Sequence, residues 1–181
     1  MELLQRKYAR YFSDLDSNNN GVLQEEDLTG TATRFCARLG YSEDSQQAKD
    51  LQDFCLALWH NVIGPMDGDG DGKVAPEEMA AAFLGQLSLD PDGFEANIRG
   101  IATQFFTMCD RDGDGWISQD EWVALFSSAA QVPEQECRRA FAAVDSDSSG
   151  KITVEEFQQA SKEFFSGTDP DAPGNLLFGS Y

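Results

Sequence analysis

The segment DRDGDGWISQDE, residues 110–121, contains the pattern that decides the fold of this 181-residue chain. Carboxylates stand at its first, third and fifth positions, which are Asp110, Asp112 and Asp114. Gly115 at the sixth position lets the backbone turn sharply. Glu121 at the twelfth position can complete the ring with two oxygens from one side chain. Alternate oxygen side chains around a tight turn indicate a loop that holds a hard divalent cation.

The same pattern occurs in three other places along the chain. The segments are DSNNNGVLQEED (residues 16–27), DGDGDGKVAPEE (residues 67–78) and DSDSSGKITVEE (residues 145–156). A single Asp-Gly-rich match could be an ordinary turn, but four in register, each flanked by helical apolar patterns, indicate a repeated unit. That unit is the EF-hand, a helix–loop–helix that binds Ca²⁺.

The predicted metal ligands are the side chains at loop positions 1, 3, 5 and 12 and the backbone carbonyl at position 7. They are Asp16, Asn18, Asn20, Val22 and Asp27 in the first loop; Asp67, Asp69, Asp71, Lys73 and Glu78 in the second; Asp110, Asp112, Asp114, Trp116 and Glu121 in the third; and Asp145, Asp147, Ser149, Lys151 and Glu156 in the fourth. We therefore expect up to four Ca²⁺ ions.

The four loops differ in charge and in closure. The second and third have four carboxylates each and should bind Ca²⁺ most tightly, followed by the fourth, where Ser149 contributes a neutral hydroxyl. The first loop ends in Asp27, one methylene shorter than Glu, and this favours weaker Ca²⁺ binding and Mg²⁺ at that loop.

Helical periodicity on both sides of the loops predicts an all-α fold. Loop position 8 is Leu23, Val74, Ile117 or Ile152, and an apolar residue there pairs with a neighbouring loop through a short β-bridge. The simple expectation is that loop one pairs with loop two and loop three with loop four. We predict two EF-hand pairs in one compact globule.

Loop spacing and turn residues set the predicted boundaries. Residues 1–90 form the N-terminal pair, residues 91–165 the C-terminal pair, and residues 166–181 an apolar tail. A short turn-forming linker around 89–93 joins the pairs, and Gly64-Pro65 should end or kink the helix that enters the second loop. Leu176, Leu177 and Phe178 are unusual in a solvated tail, so we expect them to be buried between the pairs.

The net charge of −19 excludes nucleic acid and anionic membranes as favoured direct partners. Thirteen of the 32 acidic residues occupy predicted ligand positions. Without metal, these carboxylates should repel one another, so metal binding should stabilise the protein. The start of the chain lacks the features of a secretion signal, and no stretch is apolar enough for a membrane span. Four widely spaced cysteines in apolar helical patterns suit reduced core residues and a cytoplasmic location.

The chain resembles the sarcoplasmic calcium-binding protein family, including its bacterial relatives of the calerythrin type. The uneven loop spacing, the Asp27 ending and the closing DPDAPGNLLFG (residues 169–179) carry this resemblance. It implies a compact globule plugged by its tail and a role in Ca²⁺ and Mg²⁺ buffering. Bacterial members commonly have a degraded second loop, whereas the second loop is intact here.

We expect a monomeric intracellular Ca²⁺ buffer or signal modulator. The alternative is a sensor that opens a groove for a basic target helix, although only four Met residues are present. A coelenterazine-type luciferin carrier is less favoured, because such a cavity would want more than the single His60. Nothing in the sequence resembles a catalytic arrangement, so no enzyme activity is expected.

Overall fold

A computed structural model describes residues 2–129 and 132–179 of the chain. Its α-helices are α1 (Glu2–Leu15), α2 (Glu25–Leu39), α3 (Gln46–Leu58), α4 (Pro76–Leu89), α5 (Pro91–Cys109), α6 (Gln119–Ala129), α7 (Glu134–Val144) and α8 (Val154–Ser166). Two short strands, β1 (Ile117–Ser118) and β2 (Lys151–Ile152), lie between them. The all-α prediction is confirmed.

Helix boundaries follow local sequence signals. Pro76 and Pro91 occupy the first positions of α4 and α5, where a missing N–H costs nothing. Asp90 is the one residue between these helices, and its carboxylate accepts a hydrogen bond from the Gly93 N–H at 3.0 Å. The predicted linker is therefore even shorter than expected.

Gly64-Pro65 has the predicted effect on the helix that enters the second loop. α3 ends at Leu58, and the chain continues as a π turn (Trp59–Ile63) and then a 3₁₀ turn (Gly64–Met66). Proline cannot donate a backbone hydrogen bond, so the regular helical ladder cannot continue through it. The second loop nevertheless starts at Asp67, whose carboxylate accepts the same hydrogen bond from the glycine at position 6 as in the other loops.

The loops pair as predicted. Ile117 pairs with Ile152 in the antiparallel β1–β2 sheet, joining the third and fourth loops. Leu23 and Val74 form an isolated antiparallel bridge between the first and second loops, with N···O distances of 2.8 and 3.0 Å. All four side chains are fully buried, so each loop pair is anchored on an apolar contact beneath the predicted metal sites.

One apolar core connects both halves of the chain. α2 packs against α6, α1 against α8, and α3 against α5. Helices that flank the first two loops therefore contact helices that flank the last two. The phenylalanines four residues before the first, third and fourth loops are Phe12, Phe106 and Phe141, and all three are buried. The helices that lead into these three loops therefore turn an aromatic side chain into the core.

The C-terminal tail (residues 167–179) lies against α7 and α8 and forms a 3₁₀ turn at Pro173–Leu176. Leu177 is 2% exposed, and Phe178 packs on the core. Leu176 is 37% exposed, so the expectation that it is buried was wrong. Consecutive residues of a turn with three residues per revolution point in different directions, and Leu176 points outward while Leu177 points inward.

Candidate metal centre

The first residue of each loop orients the whole loop through its carboxylate. One oxygen accepts a hydrogen bond from the glycine N–H at position 6, at 2.9 Å in all four loops. Each of these glycines has a positive φ, between 80° and 90°, which a residue with a Cβ rarely adopts. The donors are Gly21, Gly72, Gly115 and Gly150, and the acceptors are Asp16, Asp67, Asp110 and Asp145.

The carboxylate at position 12 closes the loop from the other side. In the second loop, Glu78 accepts from the Gly68 N–H at 2.9 Å and from the Ala75 N–H at 2.8 Å. The same two loop positions, 2 and 9, donate to Glu121 and Glu156. Because this residue is the third of the following helix, the carboxylate also caps the exposed N–H groups of that helix. Helix start and loop closure therefore depend on one side chain.

The first loop reproduces this geometry with the shorter aspartate. Asp27 accepts from the Ser17 N–H at 3.1 Å and from the Gln24 N–H at 3.0 Å. The Asn18 amide also donates to Asp27, at 2.8 Å. Asp27 has no exposed surface, whereas the glutamates at position 12 of the other loops are half-buried. The side chain at position 12 is thus more deeply buried in the first loop than in the other three.

Three loops bring acidic oxygens together at distances suited to one cation. Within each group, one oxygen per residue lies within 4.8 Å of the others. The groups are Asp67, Asp69 and Asp71; Asp110, Asp112 and Glu121; and Asp145, Asp147 and Glu156. The first loop has only two carboxylates among its predicted ligands, so it cannot form such an acidic triplet. The donor sets of the other three fit a hard divalent cation.

Hydrogen bonds and crowding shift the pKa values of these carboxyls in opposite directions. The backbone N–H of Gly72 lowers the pKa of Asp67, and the N–H of Ala75 lowers that of Glu78. Loss of solvent raises the pKa of Asp114, and the neighbouring Asp112 carboxylate adds to this effect. Like charges packed this closely favour a bound cation, which relieves their repulsion.

Sequence reasoning missed a second left-handed position in every loop, at position 4. Gly70 and Gly113 occupy it in the second and third loops, with φ of 76° and 73°. Asn19 and Ser148 occupy it in the first and fourth, with φ of 55° and 57°. The glycine at the fourth position of DGDGDG and DRDGDG was the available signal. Asn tolerates this region better than Ser does, so the fourth loop has the more strained turn.

The aromatic residue at position 7 of the third loop contacts the fourth loop directly. The Lys151 ammonium lies 3.2 Å from the centroid of the Trp116 ring. Both residues contribute a predicted ligand through their backbone carbonyls, so this cation–π contact joins two loops beside the β1–β2 pair. The third and fourth loops are therefore in direct side-chain contact as well as paired through their backbones.

Comparison with known proteins agrees with this geometry. The family model described as an EF-hand domain pair matches residues 101–169. The sarcoplasmic calcium-binding protein of Scylla paramamosain is 28% identical over 180 residues, covering 96% of this chain and 92% of the relative. The chain has the EF-hand fold, with a domain pair of this type matched over residues 101–169. Its similarity to the sarcoplasmic calcium-binding proteins extends over nearly its whole length, and Ca²⁺ binding is its general function.

Two solved structures share this fold. A Streptomyces coelicolor calcium-binding protein, whose structure is described as a basis for prokaryotic calcium-mediated regulation, is 28% identical with a TM-score of 0.74. The comparison covers 92% of this chain and 99% of that one. The coelenterazine-binding protein of Renilla muelleri is 19% identical with a TM-score of 0.80, covering 98% and 96%. This second likeness shows the fold alone.

Among residues 2–129 and 132–179, no helix is both long and apolar enough to cross a bilayer.

Proposed function

We propose that this EF-hand protein is a Ca²⁺ and Mg²⁺ buffer whose apolar core stays closed when metal binds. The observation that carries the proposal is the position of Phe178 in the tail. Its ring centroid lies 4.7 Å from that of Phe164 and 5.1 Å from that of Tyr11. The Arg10 side chain donates to the Phe178 carbonyl at 2.8 Å. The tail thereby joins α1 to α8 across the core.

A closed core distinguishes a buffer from a sensor. Sensors open on Ca²⁺ binding and expose an apolar groove to a target, whereas buffers barely open. Among the described residues, the large apolar side chains that remain exposed are Leu89 and Leu176, and they lie on different segments. The buried Leu177 adds to the cost of opening, because an opened core would return it to water.

We assign the metal ligands residue by residue as the loop pattern predicts. Positions 1, 3, 5 and 12 contribute side-chain oxygens and position 7 contributes a backbone carbonyl, as given for the four loops above. Three loops are proposed as Ca²⁺ sites, and the first is proposed as the weakest Ca²⁺ site and the best Mg²⁺ site. The two carboxylates and two amides of the first loop carry less charge than the sets in the other loops. Mg²⁺ is usually held by only one or two carboxylates, which suits this loop.

We further propose that residues 1–90 and 91–165 act as two EF-hand pairs and that residues 166–181 form the closing segment. All four cysteines are buried as free thiols, which supports a reducing, cytosolic location. A binding role is proposed in place of a catalytic one. His60 has a 61% exposed side chain, and its Nε2 lies 3.6 Å from a carboxylate oxygen of Glu25.

A regulatory role is the second candidate. The similarity to the Streptomyces coelicolor protein, together with a net charge of −19 that would attract a basic amphipathic helix, favours it. In that case Ca²⁺ would displace the tail, and the surface uncovered would bind the target. The luciferin-carrier function has less support, because the core cavity measures about 130 Å³ and neither His nor Trp is among the described residues that line it.

A titration with the apolar dye ANS separates the two candidates. Ca²⁺ is added to the full chain in the presence of Mg²⁺ while dye fluorescence and bound Ca²⁺ are followed together. A flat or falling fluorescence as the sites fill supports the buffer. A rise that saturates with the sites contradicts the closed core and supports the regulator.

A further inference from the structure

The core of the protein contains a cavity of about 130 Å³. Side chains of α1 to α6, α8 and the tail line it, and they are almost all apolar. A cavity of about 150 Å³ accommodates one benzene ring, whereas drug-sized ligands occupy about 300–1,000 Å³. The available space therefore corresponds to a single small ring.

One oxygen in the cavity wall has no hydrogen-bond partner within the described residues. The carboxylate of Asp14 lines the cavity, and its side chain is 9% exposed. Its Oδ1 is paired with the Arg10 guanidinium at 3.0 Å, while its Oδ2 is buried without a hydrogen-bond partner. A carboxylate oxygen that is buried without a hydrogen bond costs free energy. A ligand that donates a hydrogen bond to this oxygen would therefore gain affinity.

Two hydroxyls in the wall are already engaged, while the Tyr11 hydroxyl and the Cys55 thiol line it as well. The Thr31 hydroxyl donates to the Asp27 carbonyl at 2.8 Å, and the Ser161 hydroxyl donates to the Phe157 carbonyl at 2.8 Å. A buried water needs two to four polar partners, and among the described residues Asp14 Oδ2 is the one lining side-chain atom that is buried without a partner. An apolar ring with one hydroxyl matches this wall better than water does.

A second hollow lies next to the core cavity and shares part of its wall. It measures about 370 Å³ and lies between α2, α3 and α5, with Gln47, Asp50 and Gln104 among its polar residues. It shares five lining residues with the core cavity, namely Phe35, Leu51, Phe54, Phe105 and Leu125. Rotation of these shared side chains would connect the two spaces.

We propose that the core cavity binds a small monocyclic phenol, with its ring among the aromatic side chains and its hydroxyl donating to Oδ2 of Asp14. The cavity provides the size limit, and Asp14 provides the preference for a hydroxyl over a purely apolar ring. This site is separate from the metal ligands and does not depend on the buffer proposal.

Fluorine NMR with 4-fluorophenol and 4-fluorotoluene tests the proposal on the full chain saturated with Ca²⁺. We expect both to bind and 4-fluorophenol to bind about tenfold more tightly, as one hydrogen bond allows. Asp14→Leu should remove this preference, leaving the two affinities equal. Ala102→Leu should abolish both, because Ala102 lines the cavity. Ala96→Leu, on the exposed face of the same helix, is the matched control and should change neither.

A ligand contact map keeps the test decisive if a variant fails to fold. In the wild-type protein, nuclear Overhauser effects should connect the ligand ring to the methyl groups of Ile98 and Leu125, which line the cavity. The proposal is overturned if neither ligand binds saturably, if the wild-type protein shows no preference for the phenol, or if the ring contacts lie elsewhere.

Discussion

Replacing Asp27 with Glu tests how the first loop differs from the other three. Asp27 has no exposed surface, and its carboxylate accepts hydrogen bonds from the backbone of Ser17 and Gln24 and from the Asn18 amide. Glutamate adds one methylene to this closely packed position. The longer glutamate side chain can also coordinate a metal ion with both of its carboxylate oxygens.

The metal-free protein should lose stability in this variant. An extra methylene in a closely packed site costs about 1–3 kcal/mol, and for a chain of this size about 2 kcal/mol corresponds to a fall in Tm of roughly 4–8 °C. Ca²⁺ should reverse the effect, because two oxygens from Glu strengthen the site by about tenfold in Kd. Mg²⁺ affinity should not rise, since Mg²⁺ takes few protein ligands and keeps its waters.

Calorimetric titration with Ca²⁺ and with Mg²⁺, combined with thermal unfolding in chelator, measures all three quantities. The matched control is the reverse exchange, Glu156→Asp in the fourth loop, which should weaken Ca²⁺ binding there. An Asp27→Glu protein with unchanged metal-free Tm and unchanged Ca²⁺ affinity would refute the idea that the shorter side chain defines this loop.

The remaining predictions concern the third loop, the tail and one buried cation. Glu121→Gln should remove one tight Ca²⁺ site and weaken its paired loop, whereas Asp120→Asn, the same charge change at an exposed neighbour, should leave the stoichiometry intact; equal losses in equilibrium dialysis would contradict this. Leu177→Ala should cost about 2–5 kcal/mol in urea unfolding and raise ANS binding, while Leu176→Ala should change stability by less than about 0.5 kcal/mol; a reversed order would show that the tail is placed differently. Burial lowers the pKa of Lys7 to about 8 from its ordinary 10.5. Between these two pH values Lys7 is protonated in the unfolded chain and largely deprotonated in the folded one. The free energy of unfolding should therefore rise with pH through that window. The Lys7→Met variant should lack this rise. Parallel pH profiles of the free energy of unfolding for the variant and the wild-type protein would contradict the prediction.

The buried Lys7 also shows where sequence reasoning fails. Its ammonium donates to the carbonyls of Glu163 at 2.8 Å and Gly167 at 2.9 Å, at the C-terminal end of α8. A lysine in an amphipathic helix would be assigned to the solvent face, since cations are rarely fully buried. Its partners lie about 160 positions away in the sequence, and no local pattern connects them.

Local sequence was sufficient for the metal loops because their geometry is made by short-range bonds. Carboxylates at position 1 accept from residues up to five positions away, and those at position 12 accept from residues ten and three positions before them. Position 8 was also predictable, because an apolar side chain in a polar loop needs a buried partner. The pairing of Leu23 with Val74 and of Ile117 with Ile152 followed from this need.

By itself, the sequence determined the four loops, their flanking helices, the loop pairs and the closing tail. Tertiary structure alone decided that Leu177 points inward and Leu176 outward, that Lys7 caps a distant helix, and that Asp14 keeps one unpaired oxygen beside a core cavity. The physical reason is the range of the interactions. Loop bonds and helical periodicity act within about a dozen residues, whereas the depth of a side chain in the core depends on which remote helices pack over it.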